Sequence, residues 1–492
     1  MKLVEAKMKA ISAELIAKAV GGTILAGDGK AEITSVSTNS KEIENGALFV
    51  PIIGERVDAH KFIDMALEAG AVATFTSKEI EAFVPGKVYI KVEDTIAALQ
   101  AAAAYYRSLF SAKIIGITGS VGKTTTKEMI AAALETKLKV LKTKGNMNSQ
   151  IGLPLMMFYL EEDTEVAVIE MGMSEVGEMS RLAAVAKPEI AVVTNIGVSH
   201  IGQLGSKENI RKEKMNIIDQ FAGGNNVFVN GNDVLLQELK GFVQEAKNET
   251  LPKPELFDVE TAQKLKDITV KEFGTEEHCE YMAKDIKNVG EGMQFAYVSP
   301  NYTEEITLSV LGLHNVNNAL VALAIAEQLG IEPSVAKKGL KEYAPIAMRG
   351  QIYENKGMKI VDDTYNASPD SMKSGVAMLL EMDGLERRIV VLADVLELGE
   401  VSRECHYGVG TYIADVTSNG KKVELLVTVG TEAKAICEGV SDKNTEIVTN
   451  AFLEKEEAIA YLKQTVTSGD GIIVKGSRGM HMEEVVSALK EM

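Results

Sequence analysis

Between positions 113 and 130 the chain reads KIIGITGSVGKTTTKEMI, an apolar run, a glycine-bearing turn that ends in Gly-Lys-Thr, and a helical pattern. A strand feeding a helix through such a turn is the build of a nucleotide phosphate cradle, and it commits the surrounding chain to an α/β architecture. Gly119 and Gly122 let the backbone curl, so that the loop formed by Gly119, Ser120, Val121, Gly122, Lys123, Thr124 and Thr125 aims amides and a helix N-terminus at one anion. Lys123 is then placed to reach the β- and γ-phosphates of a nucleotide, and the Thr124 hydroxyl to bind Mg²⁺. The spacing is a variant of G-x-x-x-x-G-K-[ST], because Ile117 stands five residues before Gly122.

At 492 residues the chain divides into about three domains by the usual size relation. Its 70 acidic and 52 basic residues leave a formal charge of −18, a balance that repels nucleic acid and anionic lipid. The first twenty residues mix Lys2, Glu5, Lys7, Lys9 and Glu14 with apolar positions, unlike a secretory leader, and no apolar run is long enough to span a membrane. Cys279, Cys405 and Cys437 are odd in number and far apart, which suits neither a disulfide framework nor a zinc site. A protein of the reducing cytoplasm is expected, free of nucleic acid and of membrane insertion.

Residues 1–92 read as a small α/β unit: a helical segment at 11–20 that stops at Gly21-Gly22, apolar runs at 47–53, 72–76 and 88–92, and a helical pattern at 60–69. Residues 93–331 follow as a central unit. Asp94 caps an Ala-rich helix through 109, the phosphate loop comes next, and buried parallel strands are expected at 166–169, 190–193 and 227–229. A polar stretch at 244–254 reads as a surface excursion, and 312–330 as an Ala- and Leu-rich helix. Residues 332–492 form a third unit, with strands expected at 359–361, 389–393, 425–429 and 471–474 in a second open, Rossmann-like parallel sheet.

Polar residues gather beyond the carboxyl ends of these strands, the edge where open α/β sheets bind ligands. Glu170 ends the strand VAVIE and is a candidate Mg²⁺ ligand. His200 follows Thr194 and Asn195 beyond the same edge, although Mg²⁺ prefers oxygen to imidazole. The run KENIRKEKMNII at 207–218 reads as a solvated helix face, and pattern alone singles out no lysine in it. In GLHNVNN, Asn is a good cap for the helix that comes after it, yet three asparagines and a histidine within five residues also suggest ligand contact. Arg349, Asp362-Asp363 with the TYNASPDS loop, and Lys475 to Arg478 mark a second binding surface in the third unit.

Taken in order, TGSVGKTTT, TKGNMNSQIGLP, VIEMG, TNIGVSHI, GLHNVNNALVALAIA, RG, VDDTYNASPDSM, ADVLELG and VKGSRGM resemble the Mur ligase family of peptidoglycan synthesis along nearly the whole chain. The GN-x-N-x-x-IGLP, DD-x-YNA-x-PDSM and D-x-LELG blocks are similar to the branch that joins D-alanyl-D-alanine to a UDP-N-acetylmuramoyl-tripeptide. The resemblance implies an ATP-dependent amide ligase that works through an acyl phosphate, and a monomer is expected, although apolar faces for packing and for association look alike in sequence. It also implies two Mg²⁺ ions near Thr124, Glu170, His200 and a carbamylated Lys214, and adenine facing Asn315 and Asn318. Arg349 and Asp363 would close over the reaction centre, Asn146 and Asn148 would lie by the phosphates and the UDP-linked substrate, and Tyr365, Asn366 and Ser368 by the incoming dipeptide. Ser37, Thr38, Asn39, Ser40 and Lys41 occupy the place of an S-T-D-S-R-like UDP-sugar sequence, from which Asn39 and Lys41 depart. Two other readings stay open at this point: a sibling amino-acid or folate-type polyglutamate ligase, and a phosphate-loop ATPase switch.

Overall fold

The computed structural model describes residues 8–248, 265–418, 420–443 and 446–492, arranged on three α/β sheets. Around the phosphate loop, the strand Lys113–Thr118 takes a central place because Ile114, Ile115 and Ile117 are fully buried, each contributing about 1.5–3 kcal/mol of apolar burial. From one edge the sheet runs Val140–Lys142, Val166–Glu170, Lys113–Thr118, Ile190–Val193, Asn226–Asn230 and Thr269–Gly274, all parallel. Strand order reverses at Lys113–Thr118, which is flanked by Val166–Glu170 on one side and by the next strand in sequence, Ile190–Val193, on the other, so the phosphate loop opens at a topological switch point.

Beyond Thr269–Gly274 the sheet extends through Tyr281–Val289, Gly292–Val298 and Thr303–Leu308, a meander the sequence reading did not assign. The central sheet is therefore mixed. Only one face of the added strands is covered, which gives them the alternating burial of Gly292–Val298 instead of the continuous apolar run of a parallel strand. The nearly all-buried helix Leu313–Gln328 covers that face and packs on the phosphate-loop helix Lys123–Leu134.

The first sheet is smaller, with Thr23–Ala26 antiparallel to Val88–Lys91, then Ala73–Thr76, Ala47–Phe49 and Ser35–Ser37 in parallel. Its first helix is Ala13–Ala19, because Ile11 and Ser12 instead pair with Glu32 and Ile33. The expected helix at 60–69 divides into a 3-10 turn at Ala59–Phe62 and a helix at Ile63–Glu68. Asp94 caps the helix Thr95–Arg107, its Oδ1 accepting the Ile96 and Ala97 amides. In the third sheet Gln351–Asn355 and Met358–Asp362 form a hairpin, and Asp470–Lys475, Arg387–Ala393, Leu425–Val429 and Val448–Phe452 continue in parallel.

The stretch expected as an excursion at 244–254 begins inside the helix Val234–Lys247, where Val243 and Ala246 are buried, and its remainder from 249 lies outside the described residues, as do Lys2, Glu5 and Lys7. One apolar cluster joins the first sheet to one face of the central sheet, and a second joins the other face to the third sheet. The second seam holds the carboxyl edges of the central and third sheets against a common cleft.

Candidate active site

The phosphate loop owes its shape to the next strand end. Gly119 has φ +148° and Gly122 φ +86°, and a Cβ at Gly119 would lie 1.9 Å from Thr194 Oγ1. Thr194 Oγ1 and Asn195 Nδ2 donate to the Val121 carbonyl at 2.6 and 3.0 Å, and Asn195 Oδ1 accepts the Val121 amide at 2.9 Å. The Gly197 amide donates to Ser120 Oγ at 2.8 Å. Buried loop polar groups are thus satisfied by 194–197, which leaves the helix N-terminus at Lys123 open to an anion.

Lys123 is half-buried and its Nζ donates to the Gly119 carbonyl at 2.8 Å. Enclosure by protein lowers its pKa, Glu170 opposes the shift, and Arg349 adds to it. Thr124 Oγ1 donates to Glu170 Oε2 at 3.0 Å, and Asn148 Nδ2 to Glu170 Oε1 at 2.8 Å. Glu170 is buried, so these donors orient its carboxylate. Asn146, expected beside Asn148, is exposed in the preceding turn and does not line the cavity.

The helix Lys207–Met215 is no solvated face. Arg211, Glu213 and Lys214 are buried, because Glu213 accepts the Gly177 and Met179 amides at 2.9 Å each and Arg211 donates to the Leu235 carbonyl at 3.0 Å. Charge pattern suggested solvent, but Glu213 satisfies orphan amides at the start of Glu178–Ala186, and Arg211 reaches a carbonyl in the first turn of Val234–Lys247. Lys214 is 2% exposed, and its side chain makes no hydrogen bond among the described residues. Burial, followed by the nearby Lys123 charge, pulls its pKa well below the ordinary 10.5, while Glu213 opposes. His200 adopts φ +63°, and its Nδ1 lies 2.8 Å from Glu397 Oε2, which belongs to the third sheet's edge.

The asparagines of GLHNVNN do not cap. Gly312 is the N-cap, Asn315 Nδ2 donates back to the Leu311 carbonyl at 2.7 Å, and Asn318 Oδ1 accepts from Thr126 Oγ1 at 2.9 Å. Asn317 also lines the cavity, and its Oδ1 is buried without a hydrogen-bond partner among the described residues.

From the third sheet, Arg349 Nη2 approaches Thr124 Oγ1 at 3.5 Å, and its guanidinium carbon lies 4.0 Å from the Tyr365 ring centroid. Asp363 Oδ2 pairs with Lys475 Nζ at 2.6 Å, and the same ammonium donates to the Asn366 carbonyl at 3.0 Å. Burial lowers the Lys475 pKa, with Asp363 opposing. Ser368 lines the cavity too, but its hydroxyl accepts the Ser371 amide in the capping box of Pro369–Glu381. A cavity of about 890 Å³ runs between the two sheets and is lined by Lys123, Glu170, Asn318, Arg349, Asp363 and Lys475 among others. Ser37, Thr38, Asn39, Ser40 and Lys41 lie apart from it, at the outer strand of the first sheet, where Ser37 Oγ and Asn39 Oδ1 accept the Asn39 and Lys41 amides.

Sequence reasoning passed over two members of this site. Glu397 stood inside the D-x-LELG block without a role, although an acid just past a parallel strand is a signal of the kind that identified Glu170. Asp370, whose Oδ2 accepts the Val198 amide at 3.4 Å across the cleft, looked like an ordinary first-turn acid.

Family models described as Mur ligase middle domain, Mur ligase glutamate ligase domain and Mur ligase family catalytic domain match residues 117–326, 348–478 and 32–107. The UDP-N-acetylmuramoyl-tripeptide–D-alanyl-D-alanine ligase of Bacillus subtilis is 35% identical over 460 residues, covering 93% of this chain and 93% of that protein. The crystal structure of MurF from Acinetobacter baumannii superposes with a TM-score of 0.86 at 28% identity, over 99% of this chain and 100% of that one. The MurF ligase of Thermotoga maritima in complex with ADP gives 0.77 at 28% identity, over 93% and 97%.

Proposed function

Because the chain belongs to the Mur ligase family, we infer that the cleft joins D-alanyl-D-alanine to a UDP-N-acetylmuramoyl-tripeptide at the expense of ATP, in peptidoglycan precursor synthesis. One observation carries the reading. Lys123, Thr124 and Glu170 of the phosphate-loop sheet face Arg349, Asp363 and Lys475 of the third sheet across a single cavity.

The chemistry requires that arrangement. A tripeptide carboxylate attacks the γ-phosphorus, ADP leaves, and an acyl phosphate forms; the dipeptide amine then attacks the acyl carbon, inorganic phosphate leaves, and the amine proton is released. Two anions must meet in the first step, so cationic groups have to converge on them. The Lys123 ammonium, released from the Gly119 carbonyl, would follow the phosphates, and Arg349 would lie over the transferring group. Enclosure between the sheets excludes water that would otherwise hydrolyse the acyl phosphate. Asp363, held by Lys475, would take up the proton that the incoming amine sheds. Asn366 and Ser368, which line the cavity, and Tyr365, beneath Arg349, would bound the dipeptide site, Asn148 the phosphates, and Asn315 and Asn318 the adenine. The segment 37–41 would meet the UDP-sugar.

The donor set also fits Mg²⁺, which takes one or two carboxylates together with substrate phosphates. Glu170 offers both oxygens beside the Thr124 hydroxyl, and His200 Nε2 has no hydrogen-bond partner among the described residues. Magnesium there would neutralise phosphate charge. A second ion would need an oxygen ligand from Lys214. Burial pulls its amine below the ordinary range, which favours the free base that would attack CO₂, forming an N–C bond and losing a proton to give a carbamate. The residues assigned to the cleft all come from one chain, so a monomer can carry out the reaction proposed, and the three free thiols accord with the cytoplasm. Among the described residues no helix is long and apolar enough to cross a membrane.

Phosphate release measured with UDP-N-acetylmuramoyl-tripeptide tests the assignment. Strict dependence on D-alanyl-D-alanine is expected; release driven by a single amino acid selects a sibling ligase, and release without any acceptor selects an ATPase.

A further inference from the structure

Lys127 stands one turn beyond Lys123 on the phosphate-loop helix and is 1% exposed. A lysine so enclosed has lost its hydration, a cost that persists only where the ammonium is paired and hydrogen-bonded. Its Nζ donates to the Thr143 carbonyl at 2.8 Å and pairs with Glu128 Oε1 at 2.8 Å. The other oxygen of Glu128 lies 2.9 Å from Lys142 Nζ. The helix therefore grips two consecutive residues, Lys142 and Thr143, at the end of Val140–Lys142, a three-residue strand at the edge of the sheet. Such a short edge strand has few ladder bonds of its own to fix where the chain goes next.

The segment after that strand wraps Glu170. Thr143 Oγ1 accepts the Glu170 amide at 2.8 Å, and Asn148 Nδ2 donates to Glu170 Oε1 at 2.8 Å. Residues 143–148 thus hold Glu170 by its backbone and by one carboxylate oxygen, leaving the other oxygen for Thr124.

We propose that Lys127 is a positioning residue for Glu170: its buried ammonium fixes the 143–148 segment, which in turn aims the Glu170 carboxylate at Thr124 and at the divalent cation of the ATP site. The proposal rests on the reading of Glu170 as a metal ligand. Outer partners of a ligand set its orientation, and their loss typically weakens metal binding by about 10–100-fold.

The test is Mn²⁺ binding to the ADP-loaded protein, measured by calorimetry in Lys127→Met, Thr143→Val and Glu170→Ala, alongside ADP affinity in EDTA and thermal melting. Lys127→Met and Thr143→Val should each bind Mn²⁺ about tenfold more weakly or worse while metal-free ADP affinity holds, a split that general loosening of the loop does not produce. Wild-type Mn²⁺ affinity in folded Lys127→Met overturns the proposal. If that variant does not fold, Thr143→Val decides alone, and wild-type affinity there overturns it equally. Wild-type affinity in Glu170→Ala removes the metal reading itself, a separate result because it is read on a different side chain.

Discussion

His200 Nδ1 and Glu397 Oε2 lie 2.8 Å apart, although the histidine follows a strand of the central sheet and the glutamate a strand of the third. The pair ties the two halves of the cleft at the candidate metal site, and the hydrogen bond from His200 holds the Glu397 pKa below the usual carboxylate range. Glu397→Ala should lower kcat about 10–100-fold with less effect on KM for ATP, and Glu397→Gln, which still accepts from Nδ1, should lose less. Steady-state kinetics on both variants check this; equal losses would show that the hydrogen bond to Nδ1 contributes nothing.

Lys123→Ala should abolish phosphate release while the fold survives. Among the described residues the only hydrogen bond Lys123 makes through its side chain is to the Gly119 carbonyl, so little native structure depends on it. A loss of at least about 10²–10³ in kcat is expected from removing a donor aimed at the transferring group, with an almost unchanged melting temperature. Near-normal turnover would refute its place on the phosphates.

Gly119→Ala should unfold the loop more than it perturbs the sheet. The new Cβ would meet Thr194 Oγ1 at 1.9 Å on a backbone with φ +148°, so about 2–4 kcal/mol of destabilisation is expected from strain and clash together. Denaturant unfolding and nucleotide titration measure the two effects, and a stable variant with intact ATP binding would contradict the geometry.

Lys214 gives a pH signature with a definite sign. Its native pKa lies below the ordinary 10.5, so the unfolded chain binds more protons and the unmodified side chain destabilises the protein at neutral pH. That penalty is full below the native pKa and fades as pH rises to 10.5. In bicarbonate-free buffer Lys214→Met should melt higher than wild type at pH 7, with a gap that closes toward alkaline pH. Lys214→Ala should lose ligase activity and regain part of it with an added short carboxylate; a wild-type rate without the additive excludes Lys214 from the site.

Cys279 is 4% exposed, and burial together with Glu272 pushes its thiol up to about 11. At pH 8 only about one molecule in a thousand carries its thiolate, so labelling by a disulfide reagent should be slow until the protein unfolds. Cys437, also raised by burial, should behave alike. Fast labelling of either native thiol at pH 8 would reverse this expectation.

Much of the fold was legible because it is written in local patterns. Fully buried parallel strands such as Val166–Glu170 and Ile190–Val193 read as short continuous apolar runs, and strand, turn and glycine spacing placed the phosphate loop. The meander from Tyr281 to Leu308 escaped, since strands covered on one face carry about half the apolar signal and its charged positions resemble loop. The helix Lys207–Met215 misled for a related reason. Glu213 and Arg211 look solvated in any local window, and only the backbone groups they bond, distant in sequence, put them inside.

By itself the sequence determined the class of sheet, the phosphate grip at Gly119 to Thr124 and the candidate acid Glu170, because each depends on neighbours within a few residues. Motif resemblance along the sequence supplied His200, Arg349 and Asp363 as candidates, but tertiary structure alone decided how the rest of the site pairs up. Glu397 came to His200, Lys475 to Asp363 and Lys127 to Thr143 through contacts between residues 197, 112 and 16 positions apart. A buried charge is stable only where folding delivers its partner, and no local spacing encodes that delivery.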